Sequence, residues 1–191
     1  RDKCTSDHCR RLSHLSVELG IRLCLPRQEL LALHRGGYLH DIGKIGIPDA
    51  ILNKQGQLTE EEWKVMRSHV TRGEEICQPM KSLATVLPII RHHHEKWDGT
   101  GYPDGLKGQA IPLLARILQI ADVYDALTSE RSYKQALRPM EACKLLQQEA
   151  NQGWRDAALV PIFVDMIVQQ HNQESDNMAR DLRAMALGIQ S

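Results

Sequence analysis

Apolar residues recur every three or four positions along most of the chain, which is the spacing that places them on one face of an α-helix. In the first such segment, over residues 5–20, the stripe is carried by Leu12, Leu15 and Leu19, and Gly20 is suited to end the helix. The same pattern predicts further helices over residues 27–38, 60–69, 82–94, 113–125, 139–152 and 156–170. The sequence therefore predicts an all-α fold, a single helical bundle.

Start signals agree with this helical pattern. Thr59 with Glu62 three residues later forms a capping box, and Pro112 and Pro139 suit the first turn of the helices that follow them. Residues 97–111 contain four glycines and Pro103, so they are not expected to form regular helix. A glycine-rich loop therefore interrupts the helices in the middle of the chain.

The length of 191 residues fits about one domain with a sizeable core. We expect residues 1–171 to form that domain and residues 172–191 to form a polar, weakly helical tail. One Phe, four Tyr and three Trp are few aromatic residues for a β-sandwich. This composition also favours helices.

Charge and cysteine usage exclude some functions. Lys and Arg together number 24, as do Asp and Glu, so no overall field attracts a nucleic acid polymer, and phosphate binding must depend on local basic residues. The five cysteines show no C-x-x-C spacing, which favours reduced thiols and a cytoplasmic location. No apolar run approaches the roughly 18 residues of a membrane span, and no signal peptide precedes the first helix.

Candidate metal ligands are spread over several predicted helices. They are His8, the pair His40 and Asp41, His69, the run of residues 92–94, and Asp122. Each is a weak signal alone, and three consecutive histidines can also bind metal adventitiously. Two metal ions a few ångströms apart can bind phosphodiester oxygens, turn a bridging water into hydroxide and stabilise the leaving oxygen. Helices of a bundle can each contribute one or two ligands to such a site.

Several segments in combination resemble the HD-GYP domain, a bacterial branch of the HD phosphohydrolase superfamily. The resemblance covers about residues 1–171 and is carried by HDIGKIGIP at 40–48, HHE and DGTGYP within 93–103, GLKG at 105–108, IP at 111–112, and ADVYDALTS at 121–129 followed by Arg131. It implies an HD-type helical fold and a metal-dependent phosphodiesterase that hydrolyses cyclic di-GMP. It also implies iron or manganese as the metal, with nickel, cobalt or zinc as alternatives.

Carried over position by position, the resemblance implies two coordination spheres that share Asp41. One ion is expected to be held by His8, His40, Asp41 and Asp122, and the second by Asp41, His69, His93 and His94. Asp41 is thus the expected bridge and a catalytic residue. His92 has no role in the motif.

One departure from the family pattern concerns the number of metals. Cys4 stands where members with three metals have a glutamate ligand, and Ser6 replaces a glycine. We therefore predict two divalent transition-metal ions. By analogy within the family, two metals favour the linear dinucleotide pGpG as product over complete cleavage to GMP.

Substrate contacts are expected from basic residues and from the loop. Lys44 lies three residues after Asp41, within reach of a phosphate beside the metals, and is expected to act in catalysis as well as binding. The resemblance implies phosphate contacts at Arg131 and Lys134. Tyr102 either stacks on a guanine or packs into the fold, and the glycines around it suggest a lid.

Two other functions remain open on sequence grounds. The changes at Cys4 and Ser6 allow a module that binds cyclic dinucleotides with little turnover, and the base-reading residues are not identifiable, which allows another cyclic dinucleotide as substrate. The resemblance further implies partners. These are a diguanylate cyclase (GGDEF) domain docking at the loop, a sensor or receiver domain ahead of Arg1 in a longer protein, and a second copy of the chain.

Overall fold

The computed structural model describes residues 6–130 and 135–186, and within them the side chains of all but residue 174 and residues 179–186. The described part of the chain is helical and contains no strand, which confirms the all-α prediction. Its helices are α1 (Ser6–Arg22), α2 (Arg27–Leu39), α3 (Asp49–Leu52), α4 (Glu60–Arg67), α5 (His69–Cys77), α6 (Leu87–His92), α7 (Leu113–Thr128), α8 (Pro139–Asn151) and α9 (Leu159–Ala186). Short 3-10 helices lie at Ile42–Gly46, Lys81–Leu83 and Gly108–Ala110.

The bundle packs around α7, which contacts α1, α2, α6, α8 and α9. Its apolar residues are buried over most of its length, as expected for a central helix. The largest fully buried side chains of the core cluster are Leu12 and Leu19 of α1, Leu33 of α2, Ile89 and Ile90 of α6, Ile117, Leu118 and Ile120 of α7, Leu146 of α8, and Phe163 and Met166 of α9. This core fixes the ends of α2 and α6, which carry several candidate ligands.

Two of the predicted helices are divided. The helix that begins at the Thr59 capping box ends at Arg67, because Ser68 folds back on Val65 through its backbone N–H and its hydroxyl. A new helix, α5, then begins at His69. In the segment predicted as a helix over 82–94, α6 starts at Leu87, because Pro88 lacks an N–H and fits only the first turn.

Both ends of the bundle also differ from expectation. Gly20 does not end α1, which continues to Arg22, and the buried Gly20 instead gives Leu30 and Leu33 room to pack. At the other end, α9 continues past residue 171 to Ala186, and its described side chains after that point are exposed. The domain boundary at residue 171 stays a prediction. Among the described residues, no helix combines the length and apolar character that a membrane crossing requires.

Candidate metal centre

Four candidate ligands converge where α2, α5 and α6 meet. Asp41 follows α2, His69 opens α5, and His93 and His94 follow α6. Each offers one ligand atom, and these four atoms lie within 4.8 Å of one another. We call this group the histidine cluster.

Local backbone geometry orients two of these imidazoles. His69 Nδ1 lies 2.8 Å from the Met66 carbonyl oxygen, and His93 Nδ1 lies 2.9 Å from that of Ile90. A carbonyl oxygen only accepts, so each Nδ1 is the protonated nitrogen and each Nε2 carries the free lone pair. The two Nε2 atoms lie 3.4 and 3.8 Å from Asp41 Oδ1.

A second group, the mixed cluster, consists of His8 on α1, His40 at the end of α2 and Asp122 on α7. Its ligand atoms also lie within 4.8 Å of one another. His40 Nε2 lies 3.3 Å from Asp41 Oδ2, whereas the histidine cluster faces Oδ1 of the same carboxylate. Asp41 therefore stands between the two clusters, one oxygen towards each.

His8 is held by side chains from elsewhere in the fold. Its Nδ1 donates to Oδ2 of the buried Asp125 at 2.6 Å, and its Nε2 points towards Asp122 Oδ1 at 3.7 Å. Arg11 binds both oxygens of Asp125, at 2.5 and 3.1 Å, and also Ser129. A carboxylate that orients the far nitrogen of a histidine is typical of metal sites. Asp125 thus supports His8.

Charges around Asp41 keep it ionised. Burial opposes ionisation of this carboxyl, but the charge and hydrogen bond of His40 and the charge of Lys44 hold its pKa well below the usual range. Burial also opposes the charged form of His40, yet Asp41 outweighs it and raises the pKa of His40. Lys44 Nζ lies 2.8 Å from Asp41 Oδ2, so its ammonium group is at the site.

The imidazoles of the histidine cluster are kept neutral. Burial lowers the pKa of His69, lowers that of His93 well below its usual range, and lowers that of His94 to about 3. Their mutual proximity adds to this effect for His93 and His94. Neutral imidazole is the form that binds a metal ion.

These residues fit a pair of divalent metal ions. The buried Nε2 atoms of His69 and His93 have no hydrogen-bond partner among the described residues. Leaving such atoms unsatisfied costs about 1–3 kcal/mol each unless a ligand takes the lone pair. Imidazole with carboxylate, and no thiolate, suits iron, manganese, cobalt, nickel or zinc.

A close approach of two backbones brings the Asp41 segment against α5. A Cβ atom on Gly43 would lie 1.8 Å from the His69 carbonyl oxygen and 2.5 Å from the Gly73 nitrogen. Only glycine fits there. The 3-10 helix after Asp41 is thereby pressed onto the first turn of α5, next to His69.

The glycine-rich loop forms a wall beside the histidine cluster. Glu95 is fully buried, and its two oxygens accept the backbone N–H groups of Asp104 and Leu106 at 2.7 and 3.1 Å. Gln119 on α7 donates to the backbone oxygens of His93 and Glu95. A Cβ atom on Gly101 would lie 2.4 Å from the Glu95 Cα, which requires glycine at this turn. The loop is fastened at its base, in contrast to the lid expected from its glycines.

His92 faces this wall and not the metal centre. Its Nδ1 lies 3.5 Å from Asp104 Oδ2 and 3.9 Å from Glu95 Oε1. His92, Glu95 and Asp104 form a third group of possible ligands among the described residues. However, the Glu95 carboxylate already accepts hydrogen bonds from backbone N–H groups, and Arg91 binds both oxygens of Asp104 at 2.7 and 2.8 Å. This group is an anchor for the loop.

Of the remaining residues on which the sequence predictions rest, the structure describes Tyr102 but not Arg131, Lys134 or Cys4. Tyr102 packs into the site wall, with its ring stacked on His94 at a centroid distance of 4.9 Å, and burial raises the pKa of its hydroxyl. Arg131, Lys134 and Cys4 lie outside the described residues. Their predicted roles stay predictions.

Sequence reasoning assigned no role to several residues that the structure places at the site. Arg11 holds Asp125, Glu95 and Gln119 fasten the loop, and Arg67 lies over Tyr102. For Asp125 a signal existed, since it follows Asp122 by three residues and so shares its helix face. No comparable pattern marks Arg11 or Arg67.

A helical bundle whose helix ends bring histidines and aspartates together around one shared carboxylate is the architecture of a metal-binding helical domain. The HD domain family matches residues 1–159. The chain belongs to the HD domain family, in its HD-GYP branch, as its motifs indicated.

Three similar proteins illustrate this relationship. The cyclic di-GMP phosphodiesterase response regulator RpfG of Xanthomonas campestris is 45% identical over 138 residues, which are 71% of this chain and 36% of the relative. The 3'3'-cGAMP-specific phosphodiesterase 3 of Vibrio cholerae is 37% identical over 145 residues, 76% of this chain and 31% of the relative. The solved structure of Bd1817, an HDG"Y"P protein of Bdellovibrio bacteriovorus, superposes with a TM-score of 0.69 at 26% identity, covering 87% of this chain and 53% of that one. The chain spans about a third of the length of these two curated relatives.

Proposed function

We propose that the chain is a metal-dependent phosphodiesterase that hydrolyses cyclic di-GMP to pGpG. The observation that carries this proposal is the position of Asp41, with one oxygen towards His69 and the other towards His40. A bridging carboxylate between two imidazole-rich clusters is what a two-metal phosphodiesterase requires. Relatives named as cyclic di-GMP phosphodiesterases support the substrate.

Two bound divalent ions would supply Lewis acidity towards the phosphate oxygens and a more acidic water. The residues of the chain prepare the site for that chemistry. Asp41 is kept ionised by His40 and Lys44, and the neutral imidazoles present lone pairs. In the net reaction, the oxygen of water bonds to phosphorus, the bond from phosphorus to the 3′-oxygen breaks, and that oxygen takes a proton.

Lys44 is the proposed catalytic cation. Its ammonium group is 2.8 Å from Asp41 Oδ2, close enough for a phosphate placed at Asp41 to share its donors. The additional charge stabilises the negative charge that develops on the phosphoryl oxygens. Arg131 and Lys134 are proposed phosphate contacts on the strength of the resemblance alone.

We propose iron or manganese as the metals, two per chain. Their number rests on Cys4 in place of a glutamate ligand. Elemental analysis of anaerobically purified protein is expected to give about two ions, and Cys4→Glu is expected to raise this towards three. An unchanged count in that variant would mean that position 4 does not face the site.

The test of the function is hydrolysis of a panel of cyclic dinucleotides by protein loaded anaerobically with Fe or Mn, with products separated by chromatography. We expect cyclic di-GMP to give pGpG, with little GMP. Binding of cyclic di-GMP without product would contradict the proposal and favour a regulatory binding module.

A second candidate substrate is 3'3'-cGAMP. The relative from Vibrio cholerae that is 37% identical is named as specific for it. Both substrates carry two phosphodiesters between purine nucleosides, so one metal centre can serve either. The same panel separates them, because faster hydrolysis of 3'3'-cGAMP than of cyclic di-GMP would reverse the assignment.

The proposed partners follow from the resemblance. A GGDEF domain would dock at the exposed part of the glycine-rich loop, and a receiver domain is supported by the relative named as a response regulator. A homodimer and a cytoplasmic location are further proposals. The described cysteines are free, which supports the latter.

A further inference from the structure

Arg67 is a cation at the rim of the histidine cluster that no motif accounts for. It is the last residue of α4, and the cluster ligand His69 lies two residues later. The Cζ atom of Arg67 lies over the Tyr102 ring, 5.4 Å from its centroid. Tyr102 in turn stacks on His94. One aromatic ring thus separates the guanidinium from a candidate metal ligand.

A second aromatic ring holds Arg67 from its own helix. Trp63 lies one turn earlier on α4, and Arg67 Cζ is 5.7 Å from the centroid of its ring. Contacts with ring faces engage the face of a guanidinium and leave the N–H donors along its edge available. Trp63 and Tyr102 therefore limit where the side chain points while leaving its hydrogen-bonding groups open.

The charge of Arg67 is not neutralised within the described part of the chain. Among the described residues, no carboxylate forms an ion pair with Arg67 and no oxygen accepts a hydrogen bond from it, so its contacts are those with the two rings. Four other arginines differ, since Arg11, Arg72, Arg91 and Arg116 are each bound to carboxylates or to carbonyl or hydroxyl oxygens. An oriented, exposed guanidinium beside a metal centre is suited to an anionic ligand.

We infer that Arg67 binds the second phosphate of the cyclic dinucleotide, the one that is not at the metal centre; this inference rests on the proposed function. The substrate carries two phosphates, and Lys44 at Asp41 is placed for the one being cleaved. Arg67 lies on the other side of Tyr102. Its planar fork matches a pair of phosphate oxygens.

The experiment compares Arg67→Gln with the wild type and with Lys64→Gln on metal-loaded protein. Lys64 is an exposed cation on the same helix, so the control loses the same charge at a position away from Tyr102. Each protein is assayed on cyclic di-GMP, on cyclic di-AMP and on bis(p-nitrophenyl) phosphate, which has one phosphodiester and no second phosphate. Binding is measured separately with a hydrolysis-resistant phosphorothioate analogue of cyclic di-GMP.

Loss of a charge-assisted contact predicts a rise in KM for cyclic di-GMP and in Kd for the analogue of about 10- to 100-fold in Arg67→Gln. The kcat, and the rate with bis(p-nitrophenyl) phosphate, should stay unchanged, and Lys64→Gln should match the wild type. Equal losses on all substrates would overturn the inference, because Arg67 would then act on the metal centre. A loss with cyclic di-GMP greater than with cyclic di-AMP would also overturn it, in favour of guanine recognition.

Failure of the proposed function would look different. If the wild type bound the analogue without hydrolysing any substrate, the function would be wrong while the binding comparison still tested Arg67. If Arg67→Gln bound the analogue as tightly as the wild type, the inference alone would be wrong.

Discussion

The two halves of the metal centre are positioned by different means. In the histidine cluster, His69 and His93 are oriented by the carbonyl oxygens three residues earlier in their own segments. In the mixed cluster, His40 Nδ1 likewise lies 3.2 Å from the Gly37 carbonyl oxygen, but His8 is oriented by Asp125, which lies 117 residues away along the chain and is itself held by Arg11. Local backbone thus orients histidines in both halves, and the mixed cluster depends in addition on the packing of α1 against α7.

This difference determines how each half should respond to change. Backbone hydrogen bonds form whenever the local turn forms, so the histidine cluster is sensitive to backbone displacement. In the mixed cluster, His8 is held by the linked ionic side chains of Asp125 and Arg11. A single substitution there can release His8 without moving a helix. Asp41, shared by both halves, should be the residue on which the whole centre depends.

Asp41→Ala is expected to have the largest effect, because it deletes the carboxylate shared by both clusters. Bound metal should be lost from both, and turnover should fall by more than about 100-fold, since even residues that only orient ligands contribute about 10- to 100-fold. Elemental analysis and the cyclic di-GMP assay measure the two effects. Full metal occupancy in this variant would refute the bridging assignment.

Gly43→Ala should break the histidine cluster through its backbone. The new methyl group would meet the His69 carbonyl at 1.8 Å, and backbone cannot move aside as a side chain can. We expect a loss in the free energy of unfolding of about 3 kcal/mol or more, measured by denaturant titration of the metal-free protein.

The control for this variant is Gly46→Ala in the same 3-10 helix. Its methyl group would meet only the Arg72 side chain, at 3.0 Å, which can shift. A similar loss of stability in both variants would show that the helix as a whole is intolerant, and that the contact with His69 is not the cause.

Asp125→Asn should weaken the mixed cluster alone. The amide accepts less strongly from His8 Nδ1 and no longer pairs with the Arg11 charge. We expect one of two metal-binding steps to lose about 10- to 100-fold in affinity, with the other step unchanged in a calorimetric metal titration. Asp7→Asn, at an exposed acid on the same helix as His8, is the control. Equal weakening of both steps would contradict independent positioning of the halves.

The last prediction concerns the response of the metal-free protein to pH. The pKa values of His69, His93 and His94 are lowered in the folded chain. Below about pH 6.5 these histidines therefore bind protons in the unfolded state but stay neutral in the folded state. Their contribution to stability is complete above about pH 6.5 and is lost as the pH falls towards the folded value of about 3 for His94. Each contributes a slope of up to about 1.4 kcal/mol per pH unit.

His40 has the opposite sign, because its pKa is raised in the folded chain. Its contribution is complete below about pH 6.5 and is lost as the pH rises through the folded value. Unfolding titrations with a chelator between pH 5 and 8 should therefore show a smaller loss of stability below about pH 6.5 in His94→Gln and a smaller loss of stability above about pH 6.5 in His40→Gln. The same change in both variants would mean that the two halves do not differ in charge state.

Much of the fold was predictable because helical periodicity and capping are local. The Thr59 capping box marks the start of α4, and the all-α class follows from the apolar spacing. The break at Ser68 and the late start of α6 were missed, since apolar spacing continues across both. Pro88 was nonetheless a visible signal for the second.

The candidate site was predictable for a similar reason, and only in part. The described candidate ligands could be named from motif residues, and the structure brings all seven into two adjacent clusters, although metal binding itself stays a proposal. Arg11 could not be named as a support, because it meets Asp125 only after α1 and α7 pack together. Arg67 likewise contacts Tyr102 only because of the path of the glycine-rich loop, and the spacing of apolar residues does not predict that path.

The anchorage of the glycine-rich loop has a kinetic consequence. To swing open, the loop would have to strip two N–H donors from the buried Glu95 carboxylate and leave its charge unsatisfied. We therefore expect dinucleotide to enter and product to leave while the loop stays bound to Glu95. Opening at Glu95 should then not limit the rate of turnover, unlike in enzymes whose product is released only after a loop opens.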